Sequence, residues 1–197
     1  FIKNYWNYYI ELENQLLQTK KYVEFNKSNY KTFSIEYLKL LQATCSEIDV
    51  VSKIIAEDYD ENFKKLDNKN IQVWGLYLHK VFPDIEEIAV TFLNEGTIIP
   101  WKNWDYETFY DKSGRFRYRL KKDKETPVWW TAYNKVKHER IFPYGEGKTN
   151  YSRANLENLI LAMSALFILE TLFIEKMTET QELPNVFQSS KLFEIVR

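Results

Sequence analysis

The sequence is poor in the residues that tie a chain together covalently or through a metal. Its single cysteine, Cys45, has no internal partner for a disulfide, and no Cys/His cluster has zinc spacing. A reducing, cytoplasmic setting fits that usage, and no cofactor or metal is expected. No charge of one sign dominates either. Lys plus Arg number 27 against 28 for Asp plus Glu, a formal net charge of −1, which excludes a histone-like polycation but not a local basic patch. No glycine-rich phosphate loop, nucleophile elbow, dinucleotide fingerprint, repeat or low-complexity segment is present. Long apolar runs are missing too. The longest, residues 159–174, is broken by Ser164 and Glu170 and falls short of the about 20 residues a bilayer span needs. It reads as a buried core helix, with no membrane partner. The chain begins at Phe1 rather than Met, which leaves room for a preceding segment.

What the chain has is apolar and aromatic surface to bury. Its 197 residues are 45% hydrophobic and 17% aromatic, with 14 Tyr and 6 Trp, enough for one domain with a core of its own. A chain of this length buries roughly 70% of the surface its unfolded form exposes. Residues 1–22 lack Gly and Pro and repeat apolar side chains at helical spacing through Trp6, Tyr9, Ile10, Leu16 and Leu17. A second helix should start after Ser34 as N-cap, with Glu36 in its first turn and Tyr37, Leu38, Leu41, Cys45, Ile48, Val51 and Ile55 on one stripe. A third is expected from Asn70 to Phe82, ending at Pro83.

The period then changes. β-rich runs on either side of Gly96 predict a hairpin near residues 88–100, and residues 115–120 alternate as a further strand. Residues 84–125 therefore form a β-containing insertion in a helical body. Pro127 opens another helix, and Ser152 or Asn150 is expected to cap the long apolar helix after it. The organisation is a single helical domain over residues 1–177 and a polar, loosely ordered tail over 178–197.

The sharpest local feature is WWTAYNKVKHER, residues 129–140. On a helix Trp130, Asn134 and His138 share one face, and Tyr133, Lys137 and Arg140 form the adjoining stripe. An imidazole, an amide, an ammonium and a guanidinium on one flank can move a proton near neutral pH and neutralise a phosphate. The plainer alternative is that Asn134 and His138 satisfy buried polar groups while the tryptophans pack.

The stretch YNKVKHER, followed by a long apolar helix, resembles the signature of HEPN-domain proteins, whose pattern is an Arg, a polar residue, three further residues and a His. The phrases CSEIDVVSK and NLENLILAMSALFIL resemble bacterial members with an inserted hairpin, and the helical resemblance covers residues 1–82 and 127–177. It implies a mainly α, HEPN-like helical bundle with a small β-hairpin insertion, pairing as a homodimer that brings two motif helices face to face. It also implies metal-independent RNA cleavage in stress, toxin or anti-phage defence, with an antitoxin or other protein as partner. Asn134 and His138 match the polar and His positions. The Arg position holds Tyr133, which cannot replace a guanidinium, so Lys137 or Arg140 would have to supply the cation.

Residues 111–125 carry seven cations against three anions. In an extended strand Arg115, Arg117 and Arg119 point one way and can track an RNA backbone; the alternative is a solvated face that keeps an edge strand soluble. Asp49 and Lys53, one helical turn apart, are read as a surface pair or as reaching the motif helix. His79 and Cys45 are read as structural, and the acidic run Glu57, Asp58, Asp60, Glu61 lacks calcium-loop spacing. Three functions fit: a ribonuclease, a non-catalytic HEPN-like module that binds RNA, a nucleotide or a protein, and a helical interaction protein with no nucleic-acid ligand.

Overall fold

The computed structural model describes residues 1–93, 96–145, 147–178 and 188–196. Five α-helices dominate it: α1 (Trp6–Thr19), α2 (Ile35–Tyr59), α3 (Ile71–Val81), α4 (Val128–His138) and α5 (Leu156–Thr178). Local chemistry sets their starts. The extended Ser34 accepts the Tyr37 N–H on its hydroxyl, and Asn70 accepts those of Gln72 and Val73. Pro127, with φ −49°, leads into α4. The cap of α5 is Asn155, whose Oδ1 accepts the Asn158 N–H, and not Ser152 or Asn150. Those two residues are taken up by a 3₁₀ turn of their own, Asn150–Arg153.

α5 is the centre of the molecule. It runs parallel to α2: the Thr44 hydroxyl donates to Met163 Sδ (3.1 Å) near one end, and Lys176 pairs with Asp58 (2.7 Å) at the other. By length and composition α5 passes for a membrane span, but 78% of its apolar stretch is buried inside the protein. Two carboxyl groups are buried with it, both 0% exposed: Glu170 on α5 and Glu13 on α1.

Five short strands complete the described residues: β1 (Val90–Phe92), β2 (Thr97–Ile98), β3 (Tyr106–Tyr110), β4 (Phe116–Leu120) and β5 (Phe193–Ile195). β1 and β2 form the expected hairpin, with Val90 opposite Ile98 and Gly96 at φ +136° in the turn. The third strand of that sheet, β5, comes from the segment read as a loose polar tail. It pairs antiparallel with β1, Phe92 opposite Phe193, and buries Leu192 and Phe193. β3 and β4 make a separate two-stranded hairpin that leans on α3.

Five of the six tryptophans close into a cycle that anchors α4. Going round, Trp74 meets Trp104 (5.7 Å between ring centroids), Trp104 meets Trp101 (4.8 Å), Trp101 meets Trp129 (5.0 Å), Trp129 meets Trp130 (5.9 Å), and Trp130 returns to Trp74 (5.4 Å). Gly75 admits this packing, because a Cβ there would stand 2.6 Å from Trp104 Cζ2 and 2.7 Å from Tyr106 Cε2. Gly75→Ala gains up to about 1 kcal/mol of helix propensity, but overpacking of this kind costs about 1–3 kcal/mol. The clash should win, and thermal unfolding should show a lower midpoint. An unchanged or raised midpoint would mean that the indoles yield freely.

Candidate functional site on helix α4

The inner side of α4 is fixed before any chemistry is considered. Trp129, Trp130, Ala132, Tyr133 and Val136 are buried. Trp129 Nε1 donates to Pro100 O (2.9 Å), and Trp74 Nε1, under Trp130, donates to Asp49 Oδ1 (3.0 Å). Asp49 also pairs with Lys53. Asp49 and Lys53 thus pair with each other, as one reading had it, and Asp49 also holds α3 and through Trp74 braces the motif helix.

The outer side is open. Asn134 is half-buried and His138 exposed at the last turn, so the stripe that starts at Trp130 in the core ends in solvent. Neither side chain makes a hydrogen bond or ion pair with the described residues, so the reading of both as satisfied buried polar groups does not hold. Lys137 and Arg140 are exposed beside them. Arg140 Nε makes one long contact to Val136 O (3.4 Å) and pairs with no described carboxylate, whereas Lys135 is paired with Glu139 (2.7 Å). Tyr133, at the motif's Arg position, is only 7% exposed. Its ring lies under the Lys137 ammonium at 5.3 Å, so it serves packing and holds a cation in place.

The chain beyond α4 folds back on the same end. Asn150 N–H donates to Phe142 O (2.9 Å), Tyr151 N–H to Arg140 O (3.0 Å) and Tyr144 N–H to Lys148 O (2.7 Å). Ile141, Phe142 and Tyr144 remain exposed on this loop. The loop also delivers a residue that the sequence reading passed over, Arg153. Its Nε donates to Asn150 Oδ1 (3.0 Å), and the Asn150 amide in turn donates to Glu139 O (2.9 Å), next to His138. No linear motif marks Arg153, since its place depends on the return of the loop.

The second predicted set lies elsewhere, on the β3–β4 hairpin. Arg117 and Arg119 share one side of β4, with Arg115 just before the strand, but the register sets Glu107 opposite Arg119 and Phe109 opposite Arg117. Arg119 pairs with Glu107 (2.6 Å) and Arg117 with Asp111 (3.1 Å); Lys121 pairs with Asp105 and Lys124 with Glu86. Most of the segment's positive charge is thereby answered within the fold. His79 packs on Trp104 at 5.1 Å with Nδ1 3.7 Å from Asp105. Burial pushes its pKa below the ordinary imidazole value, against the pull of Asp105 and Glu86. Cys45 is buried, which pushes its thiol pKa well up and away from reactivity. Three of the four acidic residues are likewise engaged: Glu57 pairs with Lys69, Asp58 with Lys176, and Asp60 caps the 3₁₀ turn Glu61–Lys65.

Comparison of the chain with family models, with curated proteins and with solved structures gives no match.

Proposed function

We propose that this chain is a HEPN-like, metal-independent endoribonuclease, acting in stress, toxin or anti-phage defence, with the solvent side of α4 as its working face. The observation that carries this reading is the Asn134/His138 pair, unengaged among the described residues, beside Lys137 and Arg140, which meet no described carboxylate, at the end of a helix whose inner side is locked. A neutral His138 imidazole takes the proton of a ribose 2′-hydroxyl as its oxygen attacks the adjacent phosphorus. The protonated imidazole of a second copy gives a proton to the departing 5′-oxygen, leaving a cyclic phosphate. Asn134, one turn earlier, holds the ring or a phosphate oxygen. This scheme needs a two-fold homodimer with two α4 helices facing each other, and the exposed Ile141, Phe142 and Tyr144 supply apolar surface for it or for a protein partner.

The alternative, a non-catalytic HEPN-like module for RNA, nucleotide or protein, is favoured by one feature: Tyr133 occupies the motif's Arg position inside the core. Incubation of the purified protein with total RNA, with and without EDTA, separates the two. Cleavage should survive EDTA, and His138→Ala should lower it by about 10²–10⁴. No cleavage by the wild type, or equal cleavage by His138→Ala, ends the ribonuclease reading.

A further inference from the structure

The two cation-rich parts of this molecule differ in one respect. On and beside the hairpin, Arg117, Arg119, Lys121 and Lys124 each meet a carboxylate. At the end of α4, Lys137, Arg140 and Arg153 have no carboxylate of the described residues within ion-pairing distance. Arg153 is the most firmly held of the three by its contacts. Its guanidinium carbon lies 3.5 Å over the Tyr144 ring centroid, and its Nε is fixed on the buried Asn150. The stack sets the guanidinium plane and the hydrogen bond sets its rotation, so side-chain entropy is spent before any ligand arrives. Among the described residues the terminal nitrogens have no hydrogen-bond partner, and the cation is half-buried, the geometry that grips two oxygens of one phosphate.

We propose that Arg153, held by Tyr144 and Asn150, is the phosphate clamp of the α4 site and grips a phosphodiester of a single RNA strand. It supplies the guanidinium that the motif lacks at Tyr133. The inference rests on the reading of α4 as an RNA-binding face and names a residue for it outside the motif. The field at this end works partly against an anion, since the C-terminus of α4 carries about half a negative charge. Three full positive charges from Lys137, Arg140 and Arg153 outweigh it. A strand is favoured over a lone phosphate because the exposed rings of Phe142 and Tyr144 beside the clamp offer unpaired bases a surface to stack on.

The test is equilibrium binding of a short single-stranded RNA whose riboses are 2′-O-methylated, followed by fluorescence anisotropy over a range of salt. Such a probe binds but has no 2′-hydroxyl to attack, so binding is read apart from cleavage. Arg153→Ala should weaken binding at least tenfold and lower the salt slope by about 1, while Arg153→Lys should recover the slope but only part of the affinity. Far-ultraviolet circular dichroism of each variant confirms folding, and the lysine variant covers an alanine variant that fails to fold. Unchanged affinity and slope in Arg153→Ala overturn the clamp, whatever happens to cleavage. Arg153-dependent binding of the methylated strand, with no cleavage of ordinary RNA, sinks the ribonuclease reading and leaves the clamp standing. If uridine monophosphate binds as tightly as the strand, the RNA part of the proposal is overturned.

Discussion

Glu170→Gln should stabilise the protein at pH 7 by on the order of 3 kcal/mol and leave its stability at pH 4 unchanged. Glu170 is fully buried on α5, and neither carboxyl oxygen has a hydrogen-bond partner among the described residues. Burial, reinforced by Glu47, pushes its pKa from the ordinary 4.5 to about 9. In the folded protein it is therefore a neutral acid at physiological pH. Below pH 4.5 folded and unfolded chains both hold the proton, and the group adds no dependence on pH. Between 4.5 and about 9 the unfolded chain releases a proton that the folded chain keeps. Stability that is complete at low pH is thus lost as pH rises, by about 1.4 kcal/mol per unit. Glutamine has the same shape and no proton to release, so the variant escapes the loss. Urea unfolding at pH 4, 7 and 8.5 checks this. Parallel pH profiles for the two proteins would show that Glu170 ionises normally in the core.

Glu13→Ala should have the opposite sign and a similar size. The Glu13 carboxylate accepts the Tyr9 hydroxyl (2.8 Å), the Lys191 N–H (2.9 Å) and the Leu192 N–H (3.3 Å), as well as the Ser190 hydroxyl. Alanine strands these donors, at about 1–3 kcal/mol for each one that stays buried. The chain limits the damage by letting residues 188–196 detach and reach water. The loss then equals what docking that segment contributes, including burial of Leu192 and Phe193, or about 3 kcal/mol. Hydrogen exchange gives the more specific readout, with the amides of β5 and β1 losing protection ahead of the helices. A variant that unfolds earlier while β5 keeps its protection would show that Glu13 stabilises α1 alone.

The helices were legible because their signals are local. Ser34 and Asn70 announce their helices within three residues, and the stripe from Trp130 to His138 follows from spacing alone. The hairpin at Gly96 is equally local. What escaped depends on partners far along the chain. β5 is only three residues after a polar stretch of sequence, and its anchor, Glu13, lies 177 positions before Ser190. The basic strand looked unopposed because Glu107 and Asp111 become its partners only once the register of β3 on β4 exists. Spacing put Tyr133 on a flank with Lys137 and Arg140, but spacing does not say which edge of that flank the tryptophans cover. Arg153 carried no signal at all, since an arginine in a loop acquires meaning only from the ring and the amide that the fold sets around it.

The cycle of five indoles has an optical consequence. Chromophores whose centroids lie 4.8–5.9 Å apart do not absorb independently; they share excitation, and their near-ultraviolet circular dichroism belongs to the set. Two of the five, Trp129 and Trp130, ride on α4. Any displacement of that helix, whether by RNA at its open end or by a second subunit against it, changes the geometry of the coupled set and so the spectrum. The sixth chromophore, Trp6, lies on α1, where its indole N–H is bonded to Gln188 O (2.7 Å), and it reports on the C-terminal segment. The molecule thus carries two native optical reporters, one on α4 and one beside the C-terminal segment, and neither needs a label.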